Sequence, residues 1–322
     1  MKVAELLESR RQNWSELEQL CYQLESRRHA KLPSATISRF TSLYRSACAD
    51  LALADAYQLP ANTVEYLHRL VGRAHNQFYR TSFFDVAAWG RLLFVDAPRR
   101  IFGDPCVQVA GLAFWIFFLL SAVLAQSSTQ WPNFAQEVLG ESGIETLEEN
   151  FAHPPVDRSL EDNQAMAGFY IQHNTGIGLQ CFAHGLLVIP GLLVNIYNAV
   201  VLGASFGYMW RPEVSQGANF FEFVTAHGPF ELTAIVLSSG AGLRLGISWM
   251  WTNGLTRSDS LQQNARQSMP LMGAAIVMFF MAALIEGFVS PSPLPYFVKA
   301  SIAAISSGIL MFYFVVLGFP RR

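Results

Sequence analysis

The sequence predicts an all-α protein: a polytopic helical membrane bundle of about six spans, preceded by an N-terminal cytoplasmic helical domain. Three observations predict it. Hydrophobic residues make up 52% of the chain and charged ones only 14%, against roughly 25% charged in an ordinary soluble protein. The charges are also segregated, since residues 1–105 hold 14 of the 22 Lys and Arg and 11 of the 24 Asp and Glu. Finally, the rest of the chain contains apolar runs of about 20 residues, the length a helix needs to cross roughly 30 Å of hydrocarbon.

The head, residues 1–105, reads as a set of helices. Val3, Leu7, Trp14, Leu17, Cys21 and Leu24 fall on one face of a first helix. Pro33-Ser34 closes it and caps a second, which runs to about Tyr57 with Ile37, Phe40, Leu43, Tyr44, Ala47, Leu51 and Ala54 as its apolar members. A capping box, Asn62 with Glu65, opens a third helix to about Tyr79, and an amphipathic segment over 83–95 follows. The start is charged throughout and has no apolar signal region, so the head is expected in the cytoplasm. Cys21, Cys48, Cys106 and Cys181 are scattered with no C-x-x-C pair, so they suggest neither a disulfide framework nor a zinc site. A net charge of −2 gives no footing for nucleic acid.

The transmembrane domain, 106–322, is expected to hold spans at 107–126, 164–189, 192–210, 229–250, 271–290 and 296–318. Residues 163–210 contain no Asp, Glu, Lys or Arg. One helix of that length would reach about 70 Å, so the stretch must fold back, and Pro190-Gly191 is the expected turn. Loop 127–162 carries eight acids against the single Arg158, which puts it outside. Arg99, Arg100, Arg257, Arg266 and the pair Arg321-Arg322 belong inside, giving cytoplasmic N- and C-termini.

The segments "NIYNAVVLGASFGY" (195–208) and "AHGPFELTAIVLSSGAGLRLG" (226–246) resemble the signature of the stage II sporulation protein M family of integral membrane proteins. Ala199 stands where that family usually has Gly, and Ala226 where it usually has Pro. In the head, "LYRSACADLALA" and "YLHRLVGRAHNQFYR" resemble the region preceding the membrane part of long members. The resemblance implies a multi-pass protein of the bacterial cytoplasmic membrane. The family's namesake acts in engulfment, in a complex carrying peptidoglycan-degrading partners.

Two small-residue stripes stand out. Ala199, Gly203 and Gly207, with Asn195 one step earlier, repeat at four-residue spacing, and Ala234, Ser238, Gly242 and Gly246 do the same. Such faces let membrane helices approach closely, and these two are expected to pack on each other or on a partner copy. "GASFG" (203–207) fits the G-x-S-x-G expression around Ser205, but a hydrolase needs it on a strand–turn–helix and here it lies inside a span.

Ionisable groups in a bilayer each cost roughly 2.5 kcal/mol or more when lipid-exposed at mid-depth. Depth along the six spans predicts two polar layers: an outer one of His227, Glu231 and Glu286, and an inner one of His184, Asn195, Asn198 and Arg244. The plain reading is cross-helix pairing; the sharper one is an ion path or substrate cavity. A metal would need a third ligand beside His227 and Glu231, with Glu286, Glu222 and His173 as the candidates, and neither metal nor cofactor is assigned. "GPFEL" (228–232) reads as a helix start, with Gly228 as N-cap, Pro229 at the first position and Glu231 at the capping-box position. The stretch "ANFFEFVTA" is expected to lie at the outer interface or partly re-enter the membrane. The expected function is a membrane scaffold of the cell envelope without catalytic activity, a homo-oligomer, guessed to be a dimer, with protein partners in the envelope; the alternative is a transporter or channel lined by His227, Glu231 and Glu286.

Overall fold

The computed structural model describes residues 9–26, 34–78, 86–154 and 158–319. Among them every regular element is helical, and the chain divides into two compact units, Met1–Asp85 and Val86–Arg322.

Among its described residues the first unit holds three helices, α1 (Arg11–Ser26), α2 (Ser34–Ala56) and α3 (Ala61–Phe78). Trp14, Leu17 and Cys21 of α1 meet Phe40, Leu43 and Ala47 of α2 and Leu67 and Leu70 of α3 in one core. Val3 and Leu7 lie outside the described residues, and Ile37, expected inward, is exposed. Among the described residues of this unit one charge is buried. Asp50 is fully enclosed, accepts a hydrogen bond from Trp14 Nε1 at 2.9 Å and pairs with the Arg10 guanidinium, so both its desolvation and its charge are answered. Because α3 begins at Ala61, Asn62 sits inside its first turn and the predicted capping box does not open the helix.

The second unit begins with α4 (Val86–Arg91), a π-helical turn over Leu92–Asp96, and α5 (Ala97–Gly103). The sequence reading placed these residues in the head. They pack instead with the bundle, where Tyr313 donates to the Leu93 carbonyl at 2.6 Å. The bundle follows: α6 (Pro105–Gln126), α7 (Phe134–Leu139), α8 (Glu141–Asn150), α9 (Leu160–Gly185), α10 (Ile189–Met209), α11 (Gly217–Val224), α12 (Gly228–Met250), α13 (Arg257–Leu284, continued by a π turn Ile285–Val289) and α14 (Tyr296–Met311, continued by a π turn Phe312–Val316).

Five of these helices, α6, α10, α12, α13 and α14, are long and apolar enough to cross a membrane. The second predicted span is α9. With 26 residues it is about 39 Å long, but Gln164, Gln172, His173, Asn174 and Gln180 leave it more polar than its neighbours. The turn after it also differs from expectation. It falls at Leu186–Val188, where Val188 takes φ 48°, while Pro190 sits in the first turn of α10. Proline is tolerated there because that amide has no helical partner to lose. The fifth span begins well before the predicted 271, since the polar run from Arg257 is helical too, its first turn held by the Thr256 hydroxyl accepting from the Asp259 amide at 3.2 Å.

α12 is the centre of the bundle. Of its apolar stretch 67% is buried, against 28% for α6 and α10 and 17% for α14. The two small-residue stripes do not face each other. On α10, Asn195, Ala199, Gly203 and Gly207 lie against α6: a Cβ at Gly203 would run into the Phe118 carbonyl, one at Gly207 into the Ala122 carbonyl, and Ser121 donates to the Val200 carbonyl at 2.7 Å. On α12, Gly242 lies against the backbone of Phe182 and Gly246 against Gly185, both on α9, and Ser238 lies near Gly178. Each stripe is therefore covered within one chain.

Two outcomes test this packing. Gly203→Ala should destabilise the detergent-solubilised chain by about 1–3 kcal/mol, the usual effect of overpacking, whereas Gly273→Ala, inside a helix with open space for its Cβ, should cost nothing and stabilise by up to about 1 kcal/mol; a denaturant titration reads both. In the head, burial pushes the Cys21 thiol up to about 11. The thiolate is the reactive form, so at pH 8 Cys21 should stay unlabelled by a thiol reagent until the protein is denatured, with labelling accelerating as pH rises toward that value.

Candidate functional site

α12 starts at Gly228, with His227 as N-cap residue and Pro229 in the first turn. No side chain caps this end. The predicted capping box does not form, because the start lies one residue earlier than expected and Glu231 stands a full turn above His227. Residues at i and i+4 share a helix face, and His227 Nε2 lies 3.6 Å from Glu231 Oε2. The imidazole is buried, its ring edge-on to Phe223, and its Nδ1 lies 3.0 Å from the Ser290 hydroxyl.

Glu286 reaches the same place from α13. It sits on the π turn that ends that helix, a distortion that changes where a side chain points and is frequent at functional sites. Gly287 beside it lets α9 come close, since a Cβ there would meet Ala167 Cβ at 2.7 Å. Asn174 of α9, also buried, donates to Glu286 Oε2 at 3.3 Å. One donor atom from each of His227, Glu231 and Glu286 lies within 4.8 Å of the others. The structure thus brings the three predicted outer-layer residues together. Next to them Lys299 of α14, wholly buried, donates to the Ser290 carbonyl at 2.9 Å and to Glu222 of α11 at 3.2 Å.

A cavity of about 540 Å³ leads to this cluster, lined by Phe151, His153 and Arg158 of the acidic loop, Tyr170 of α9, Phe223 of α11 and Glu286. The acidic loop also folds over the end of the bundle: Tyr208 donates to Glu148 at 2.5 Å and Arg211 to the Pro132 carbonyl at 3.3 Å.

The predicted inner layer is not one cluster. Arg244 binds Asp104 at 2.6 Å and Gln267 at 2.5 Å, tying α12 to the N-cap residue of α6 and to α13. Asn195 donates to the Ala110 carbonyl at 2.9 Å, Asn198 to the Val194 carbonyl in its own helix at 2.9 Å, and His184 is exposed with Nδ1 2.8 Å from the Gln180 carbonyl. Ser205 donates to the Val201 carbonyl at 2.9 Å inside α10, so the G-x-S-x-G match is a coincidence of helix packing. His173 stacks on Phe169 away from the cluster, and Glu222 serves Lys299.

Sequence reasoning missed Asn174, Ser290, Lys299 and Asp104. For Lys299 a signal was present, a lone lysine inside the predicted span 296–318. Asn174 lay in the uncharged run 163–210 with nothing to separate it from Gln172 and His173. Asp104 reads simply as a helix cap.

Compared with known proteins, residues 110–291 match the family model of Stage II sporulation protein M, and residues 4–80 match a domain of unknown function. No curated protein and no solved structure matches the chain.

The Arg244–Asp104 pair gives a stability test. Asp104 is 1% exposed, and removing its partner leaves a buried carboxylate uncompensated. Arg244→Leu should therefore destabilise by about 2–4 kcal/mol, toward the lower part of the range for buried pairs because Arg244 is partly solvated. Adding Asp104→Asn should recover more than half of that loss, both changes being read by denaturant titration.

Proposed function

The chain belongs to the stage II sporulation protein M family, and we propose that it works as an integral membrane scaffold, an assembly component of the bacterial cell envelope with no catalytic activity of its own. One observation carries this reading: at both ends of the bundle charged and amide side chains bind one another across helices. Arg244 with Asp104 and Gln267 closes one end; Asn174 with Glu286, and Lys299 with Glu222, close the other. Between them Phe114, Ile235, Leu237 and Phe279 fill the middle as a packed core. A bundle tied in this way presents a fixed platform.

The orientation follows from charge. The acidic loop faces the outside, and Arg99, Arg100, Arg257 and Arg266 face the cytoplasm, together with the head and both termini. Partners would bind through the helical head, or a second copy through the lipid-facing helices, the small-residue stripes being covered internally.

A transporter with a path at His227, Glu231 and Glu286 is the competing reading, and the cavity reaching Glu286 favours it. The two part in experiment. Cross-linking the tagged full chain in its native membrane should trap a discrete partner or a second copy, and Glu231→Gln should leave that adduct in place. Purified chain in liposomes should show no solute or proton flux above empty vesicles; a flux abolished by Glu231→Gln would overturn the scaffold.

A further inference from the structure

We propose that His227, Glu231 and Glu286 bind one divalent first-row metal ion, zinc by the character of its donors. Bonds of about 2.0–2.2 Å in a tetrahedral zinc site put neighbouring donors about 3.3–3.6 Å apart. His227 Nε2 and Glu231 Oε2 already stand 3.6 Å apart, and the three donor atoms lie within 4.8 Å of one another. Small side-chain rotations close the set. One imidazole and two carboxylates leave a fourth position for water, the arrangement of an open zinc centre.

The shortage of positive partners in the cluster is what points to a cation. Among the described residues no hydrogen-bond donor reaches the Glu231 carboxylate. Glu286, nine-tenths buried, has one oxygen held by Asn174 and finds no donor for the other among the described residues. Lys299 is directed to Glu222 and the Ser290 carbonyl instead. Two carboxylates held this close away from water repel unless a counter-charge joins them, and a doubly charged ion neutralises both. The positive end of α12 opposes a cation, but only by about half a charge.

The surroundings suit a metal as well. Metal-binding histidines usually donate their second ring N–H to a fixed acceptor. His227 has the Ser290 hydroxyl at 3.0 Å from Nδ1, leaving Nε2 to ligate. Asn174 orients Glu286 in the same way. The cavity of about 540 Å³ gives an ion a route from the acidic-loop end and room for a bound water.

The test uses the full chain in detergent, stripped with a chelator, desalted and titrated with Zn²⁺ alone by calorimetry, with metal analysis after a second desalting. One Zn²⁺ per chain is expected. Affinity should fall at least tenfold in Glu231→Gln and Glu286→Gln, and about tenfold in Asn174→Leu, which alters only a supporting bond. His173→Ala, which removes an exposed histidine of α9 outside the cluster, should bind as the unaltered chain does. Zn²⁺ should also raise the melting temperature of the unaltered chain and not that of Glu231→Gln, whose folding is checked by circular dichroism. Failure of the unaltered chain to hold stoichiometric zinc overturns the site, whatever the variants do. So does equal binding by folded Glu231→Gln and Glu286→Gln.

Discussion

Close approach of backbones is the constraint on which the membrane unit depends. Lipid is as apolar as a leucine side chain, so burying one against another gains little there, and helices associate through close packing and hydrogen bonds instead. In this chain the approach is made at Gly203 and Gly207 against the carbonyls of Phe118 and Ala122, and at Gly242 and Gly246 against Phe182 and Gly185. These two contacts set the places of α6, α10, α9 and α12. Once α12 is enclosed, α13 and α14 come against it, and the residues at its two ends are held where they can meet partners from other helices.

Those ends carry the ionisable groups, and the physics of each end is different. At Arg244 a full positive charge meets Asp104, with Gln267 accepting from the same guanidinium nitrogen that reaches toward Asn264. Charge and hydrogen-bonding capacity are matched, which is what makes a buried pair tolerable. At His227 the balance is uneven. Glu231 and Glu286 together bring two carboxylates to an imidazole, a hydroxyl and one amide. The first end reads as structure; the second has an unfilled requirement for positive charge, and a cavity opens onto it.

Much of this is legible in the sequence. Spans, loop charges and the polar residues within apolar runs are all one-dimensional properties, and they located His227, Glu231 and Glu286 at similar depth. The same reasoning gathered His184, Asn195, Asn198 and Arg244 into one layer, and there depth was a poor guide. Asn195 and Arg244 lie on faces turned to different neighbours, so one bonds the Ala110 carbonyl and the other Asp104. Depth counts residues along a helix, while contact depends on the direction in which each residue faces.

By itself the sequence determined an all-α membrane protein with a helical head, the place of nearly every span, the stripes that allow close packing and the outer trio of polar residues. The tertiary structure decided the partners. It put the α10 stripe on α6 and the α12 stripe on α9, carried Val86–Gly103 into the bundle, and added Asn174, Ser290 and Lys299 to the outer cluster. The physical reason is that hydropathy and spacing repeat along one chain and can be read there, whereas a helix pairing depends on the rotation of two helices about their own axes. A stripe of small residues marks the face that packs, but which helix it meets is set by which backbones fit together, and the order of residues does not state that.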